Sequence, residues 1–370
     1  MTRKELNLAI FEGTADKVLW QPRLETWYWH HRTCGTLPAR YQDLDYLPFY
    51  DSLKCSVRYA SSTGLESHQD RDDVELWTEP LDEHHEAEVL RMSIGELRKV
   101  HKIVWNETGQ VVNRRVEKFP VQTIEDLGIL IAFVEGQYFR IDVQAFEAAA
   151  ARVGHRAEPT LFTSSDGFTE LIKSWSGLEA AHFLLFDHPV AMDAYVEAWN
   201  RREDRLFAEV LKLPCRLFNL GDHTINEFTP PPVIERYCLP RWQKISRLMG
   251  ENGRYCHSHW DGHSRLILKY LQPSGLQAVE ALTPEPMGDM TLEMIRDAIG
   301  EDMVVLDLIP AIYFLPSYST ETVIEFVKRA VDMFAPRLIL GISDEISEVG
   351  QIEKVEAVTE YLYKTQGLPD

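Results

Sequence analysis

The C-terminal half of the chain predicts an α/β protein. The specific expectation is a (β/α)8 barrel, with an N-terminal extension and a β-meander excursion near residues 87–121. Three observations predict it. Short apolar runs at 215–220, 254–258, 276–282, 303–309 and 338–342 alternate with helical patterns near 232–250, 263–273, 291–299 and 320–334, the repeat of a parallel sheet. Each run ends in polar or ionisable residues, where a barrel carries its active site. The 370 residues, 45% of them hydrophobic, suffice for one such core. We therefore expect one domain over 1–370, with 1–120 as N-terminal segment and excursion and 121–370 as the main βα repeats.

In chain order, residues 1–20 read as a short amphipathic helix, with Leu6, Ile10 and Phe11 at helical spacing and a stop at Gly13. The aromatic-rich stretch 21–32 holds Arg23, Trp27 and Trp29. These read as substrate-binding residues, or as part of a segment plugging one barrel end. Residues 60–86 are polar and acidic and read as surface. Alternation over 87–121, with a turn at 106–109, gives the meander. Residues 122–154 read as helices. A short strand at 159–162 enters a polar loop, and long helices continue to about 212.

Composition excludes several classes. A net charge of -20 argues against a nucleic-acid surface. Five scattered cysteines without a CxxC pair argue for a reducing, cytoplasmic setting. No run reaches the length of a membrane span, and the first residues do not read as a signal peptide. No glycine-rich phosphate motif occurs.

The densest chemistry lies in Arg254-Tyr255-Cys256-His257-Ser258-His259-Trp260-Asp261-Gly262-His263. On a strand, His259 and Asp261 share a face, with His257 one step deeper. Cys256 points the other way and reads as a packed small hydrophobe. His259 and Asp261 suit metal ligation, acid–base or substrate-binding work, or a hydrogen-bonded pair that only shapes the loop. Asp222 and His223, Glu280, Tyr313 and Asp344 stand at the ends of other runs. Each is a candidate for the site, with loop shaping or helix capping as the alternative.

The order and spacing of four segments carry a family resemblance. They are Gly221-Asp222-His223 with Pro232-Val233-Ile234-Glu235-Arg236-Tyr237-Cys238-Leu239-Pro240, His259-Trp260-Asp261-Gly262, Gly275-Leu276-Gln277-Ala278-Val279-Glu280, and Leu340-Gly341-Ile342-Ser343-Asp344-Glu345. Together they resemble the uroporphyrinogen decarboxylase superfamily, most clearly from about residue 120 onward. The arginine-rich N-terminal motif of true decarboxylases is absent, and aromatic residues stand in most of its positions. The resemblance is therefore closer to the corrinoid-dependent zinc methyltransferase and O-demethylase branch.

That resemblance implies a zinc ion held by His259, Asp261 and Asp344. Glu280 would be a fourth ligand or a base beside it, and zinc accepts such nitrogen and oxygen ligands. From the residues themselves, Glu280, Asp222 and His223 are the candidate catalytic residues, Asp222 and His223 by binding substrate or a partner's cofactor, and Trp27, Trp29, Arg23 and Tyr313 are the candidates around the substrate. A methyl group would pass from a small methoxylated or aromatic donor to cobalamin supplied by a partner corrinoid protein. A metal-free decarboxylase and a non-catalytic ligand-binding barrel are the alternatives. A homodimer is compatible with the sequence.

Overall fold

The computed structural model describes residues 1–58, 60–105, 109 and 111–369. The chain gathers into two compact units. The first comprises Met1–Thr63, Val143–Thr163 and Pro214–Asp370, the second Gly64–Asp142 and Ser164–Leu213.

The first unit is built on eight parallel strands. They are β1 (Leu19–Trp20), β2 (Ala60–Ser61), β3 (Thr160–Phe162), β4 (Leu217–Asn219), β5 (Tyr255–His259), β6 (Ala278–Glu280), β7 (Val304–Pro310) and β8 (Leu338–Ser343). Their order in the sheet is β1-β8-β7-β6-β5-β4-β3-β2, with every neighbouring pair parallel. The strands thus follow one another in chain order around a curled sheet flanked by helices, a TIM-like arrangement. Among the described residues no ladder joins the edge strands β1 and β2. Ser56 N donates to Trp20 O at 2.9 Å, and the Gln21 side-chain amide donates to Ser56 Oγ at 2.9 Å and Val57 O at 3.2 Å.

The predicted runs reappear as β4 to β8. These strands are largely buried on both faces, which is why apolar residues dominate them, with His257 and Ser258 on β5 and Asp307 on β7 as buried polar residues. The N-terminal helix stops at Gly13, as its sequence predicts. It spans Arg3–Glu12, opened by a capping box between Thr2 and Glu5, and Gly13 closes it at φ 72, a conformation glycine adopts without a Cβ clash. Leu19 and Trp20 then belong to the sheet. Leu6, Ile10 and Phe11 of the helix pack with Leu19, Leu217, Ala278, Val304, Leu306 and Ile339 of the strands.

The second unit holds a four-stranded antiparallel sheet, Glu75–Pro80, His85–Met92, Gly95–Trp105 and Val111–Lys118, paired in chain order. The meander is therefore longer than expected, because its first strand lies inside the stretch read as surface. Of the predicted turn, residues 106–108 lie outside the described residues, and Gly109 has φ 75. The strand Leu65–Gln69 pairs with Gln137–Ile141, and the helices Ile124–Glu135, Leu178–Asp187 and Pro189–Val210 complete the unit. Among the described residues no helix is long and apolar enough to cross a membrane.

Candidate functional site

The C-terminal ends of the parallel strands bring ionisable side chains together. Register does much of this. Asn219 on β4 pairs with His257 on β5, and His259 pairs with Glu280 on β6. Alternation along β5 turns His257 and His259 to one face and Cys256 and Ser258 to the other. Cys256 is fully buried, with Ser246 Oγ 3.6 Å from its sulfur, and burial pushes its thiol up to about 12. It is the packed residue that its parity predicts.

Glu280 sits at the centre and is buried. Its Oε1 accepts from His259 Nδ1 and from Asn219 Nδ2, both at 2.9 Å. Its Oε2 accepts from Arg58 Nη1 at 3.1 Å and lies 3.1 Å from His257 Nδ1. Burial alone would raise this carboxyl, but His257, Arg58 and His259 hold it well below the usual carboxylate range. Arg58 also forks onto Asp307, with Nη1 to Oδ2 at 3.0 Å and Nη2 to Oδ1 at 2.6 Å. Asp307 is fully buried, and burial pushes it up to about 6 against the pull of Arg58 and Arg23.

The backbone is strained beside these groups. Ala281, Asp307 and Leu308 have φ of 63, 77 and 85, a region that costs a side-chain-bearing residue about 1–3 kcal/mol. Such strain clusters where a fold holds side chains in set positions for function.

Toward the mouth, His259 Nε2 lies 3.4 Å from Asp261 Oδ2, and His223 Nδ1 lies 3.7 Å from Asp261 Oδ1. The two imidazoles stack with centroids 5.7 Å apart and planes at 17°. One ligand atom from each of His223, His259 and Asp261 lies within 4.8 Å of the other two. Burial pulls the His259 ring down, but its hydrogen bonds to Asp261 and Glu280 overcome this, and its pKa stands at about 10. Burial would raise Asp261, but His259 and His223 lower it below the ordinary value. Among the described residues, Asp261 Oδ1 is buried without a hydrogen-bond partner.

The other predicted residues are placed as follows. Asp344 lies with Glu345 on the Arg23 guanidinium, Glu345 at 2.8 Å, and it is not among the three grouped ligand atoms. Asp222 turns away from the mouth. It accepts from Arg241 Nη1 at 3.0 Å, Trp242 Nε1 at 2.8 Å and Ser258 Oγ at 2.7 Å, and it is buried. Trp27 is buried, stacked on Phe49 at 12°, with its indole N–H donated to Gly350 O at 2.9 Å. Trp29 is half exposed and stacks on Tyr46. Tyr313, in a short turn over Ala311–Phe314, packs edge-on against Tyr318 and Phe326.

Arg58, Asn219 and Asp307 were not singled out in the sequence. Asp307 carried a signal, since a carboxylate inside the apolar run 303–309 requires a buried partner. Arg58 carried none.

No protein-family model matches the sequence, and no curated protein matches it. Among solved structures, the chain is similar to a methyltransferase from Methanosarcina mazei, with 12% identity over 98% of this chain and 99% of that one and a TM-score of 0.54. It also aligns with 3-dehydroquinate dehydratase from Geobacillus kaustophilus HTA426, with 11% identity over 66% of this chain and 78% of that one, at a TM-score of 0.29. Endo-glycoceramidase II from Rhodococcus sp. aligns with 14% identity over 57% of this chain and 62% of that one, also at 0.29. The last two overlaps are too loose to bear on the architecture. The first shows that this chain and the methyltransferase share a fold along almost their whole lengths.

Proposed function

We propose that the chain is a metal-dependent methyltransferase of the O-demethylase type, on a closed (β/α)8 barrel of the uroporphyrinogen decarboxylase superfamily. The observation that carries this reading is the convergence of His223, His259 and Asp261 at the strand ends. The fold shared with a methyltransferase supports it.

The residues fit a zinc ion. Two imidazoles and a carboxylate are a ligand set zinc accepts, and the orphaned Oδ1 of Asp261 is an acceptor in want of a partner. His259 Nδ1 is committed to Glu280, which leaves Nε2 for the ion. Glu280 and Asp344 are engaged elsewhere, so His223 takes the place given to them in the sequence reading. When bound, zinc supplies Lewis acidity toward a donor oxygen. Asp222 shapes the wall behind β5 through Ser258, Arg241 and Trp242. The methyl acceptor in this reading is cobalamin on a partner corrinoid protein in the cytoplasm, and the donor is a small methoxylated or aromatic compound.

The decarboxylase alternative wants free arginines for substrate carboxylates. Arg23 is engaged by Asp344 and Glu345, and Arg58 by Asp307 and Glu280, which counts against it. Elemental analysis of the purified protein tests the proposal. About one zinc per chain is expected. No stoichiometric zinc, with methyl transfer unchanged by added zinc, would sink it.

A further inference from the structure

We propose that Arg58, clamped by Asp307, is a positioning residue: it locks the Glu280 carboxylate, and through it the ring of His259, with Nε2 turned toward Asp261 and His223. The inference rests on the reading of His259 as part of the reacting site.

The geometry supports it layer by layer. A carboxylate has about four lone-pair directions. Glu280 meets donors on both oxygens, from His259, Asn219 and Arg58, with His257 Nδ1 at 3.1 Å beside them. It cannot turn toward the mouth without breaking these bonds, so it serves as a fixed acceptor and not as a ligand or mobile base. A hydrogen bond to one imidazole nitrogen decides which nitrogen faces the site.

Arg58 in turn cannot rotate. Two of its nitrogens bind the two oxygens of Asp307, and a planar guanidinium held at two points has its third direction set. The remaining Nη1 hydrogen is thereby aimed at Glu280. Arg58, Glu280 and Asp307 are all nearly inaccessible, with side chains 9%, 5% and 0% exposed, so water does not replace a broken bond.

The last layer is Gly341 on β8. A Cβ there would stand 2.5 Å from Asp307 Oδ1 and 2.7 Å from Gln21 O. Leu308, in left-handed backbone, is its partner across the ladder. The glycine leaves the space in which the carboxylate meets Arg58. The strut thus runs from Gly341 through Asp307, Arg58 and Glu280 to His259, across β8, β7, the segment before β2, β6 and β5.

The test uses the full-length protein and two variants, Asp307→Asn and Gly341→Ala. Neither touches His259, and the second keeps every charge, so it carries the test if the first does not fold. Two readouts are followed. One is the solvent exchange of the His259 ring N–H, seen by NMR and assigned by its loss in His259→Asn. The other is the zinc dissociation constant from competition with a chromophoric chelator. We expect about tenfold faster exchange and about tenfold weaker zinc binding in each variant. A merely structural role would lower the urea midpoint and leave both readouts unchanged in the folded protein, and that result overturns the proposal. If the wild type binds no zinc, the metal reading fails on its own, and the ring N–H exchange still decides the strut.

Discussion

His259 Nδ1 and Glu280 Oε1 lie 2.9 Å apart, directly across the ladder between β5 and β6. This one bond divides the work of the histidine. One nitrogen belongs to the buried network and the other to the mouth, where Asp261 and His223 stand. The metal reading predicts a sharp contrast among the residues first expected to be ligands. His259→Ala and Asp261→Ala should each lose the zinc, whereas Asp344→Ala should keep it, because Asp344 sits on Arg23. Metal content after dialysis, measured by plasma mass spectrometry, checks this. Zinc retained by His259→Ala and Asp261→Ala would remove the ligand assignment.

Asp222 should behave as a structural residue. Its carboxylate is the partner of the buried Arg241 and also accepts from Trp242 and Ser258. Removing one member of such a buried pair typically costs about 3–5 kcal/mol. Asp222→Ala should lower unfolding free energy by about that much in a urea titration. Zinc content of the folded fraction should stay unchanged.

Two neighbouring tryptophans should differ widely. Trp27 is buried among Phe49, His31 and Gly350, and Trp27→Ala should cost about 3–5 kcal/mol. Trp29 is 53% exposed, and Trp29→Ala should cost about 1 kcal/mol or less. Equal losses in denaturant melts of the two variants would contradict the placement of the helix Glu25–Cys34.

Asp307 should leave a signature in the pH dependence of stability. Burial pushes its carboxyl up to about 6, above the value of about 4 expected in the unfolded chain. The folded state therefore holds this proton more tightly than the unfolded state. The resulting stabilisation is full below about pH 4 and is lost as pH rises through about 6. Between pH 5 and 7 the wild type should lose about 1 kcal/mol more than Asp307→Asn. Parallel urea midpoints for the two proteins over that range would contradict the assignment.

What the sequence made legible follows from burial and periodicity. Strands β4 to β8 announce themselves because both faces are buried and apolar residues dominate most of them, while β5 stands out by its histidines. β1 and β2 are two residues each, too short for any alternation, and β1 was hidden behind a helix that stops at Gly13. In the site, strand parity separated His257 and His259 from Cys256 and linked His259 to Asp261. It could not place Asp344, whose partner Arg23 is 321 positions away and is met because β1 lies beside β8. His223 stood in view as a strand-end residue, but only the adjacency of β4 and β5 puts it against His259. Arg58 gave no sign, because its partners lie 222 and 249 positions downstream.

Those separations bear on how the protein acquires its site. Closing a loop of some 200 residues before any contact rewards it makes assembly late and slow. The bonds of Arg58 to Glu280 and Asp307 span such loops, so the buried network behind His259 is complete only when β2, β6 and β7 have docked together. On the metal reading, an ion bound by His223, His259 and Asp261 would prefer the native ensemble and shift the folding equilibrium by mass action, about 2.7 kcal/mol at a concentration one hundred times its dissociation constant. Metal supply during synthesis would then raise the yield of folded protein.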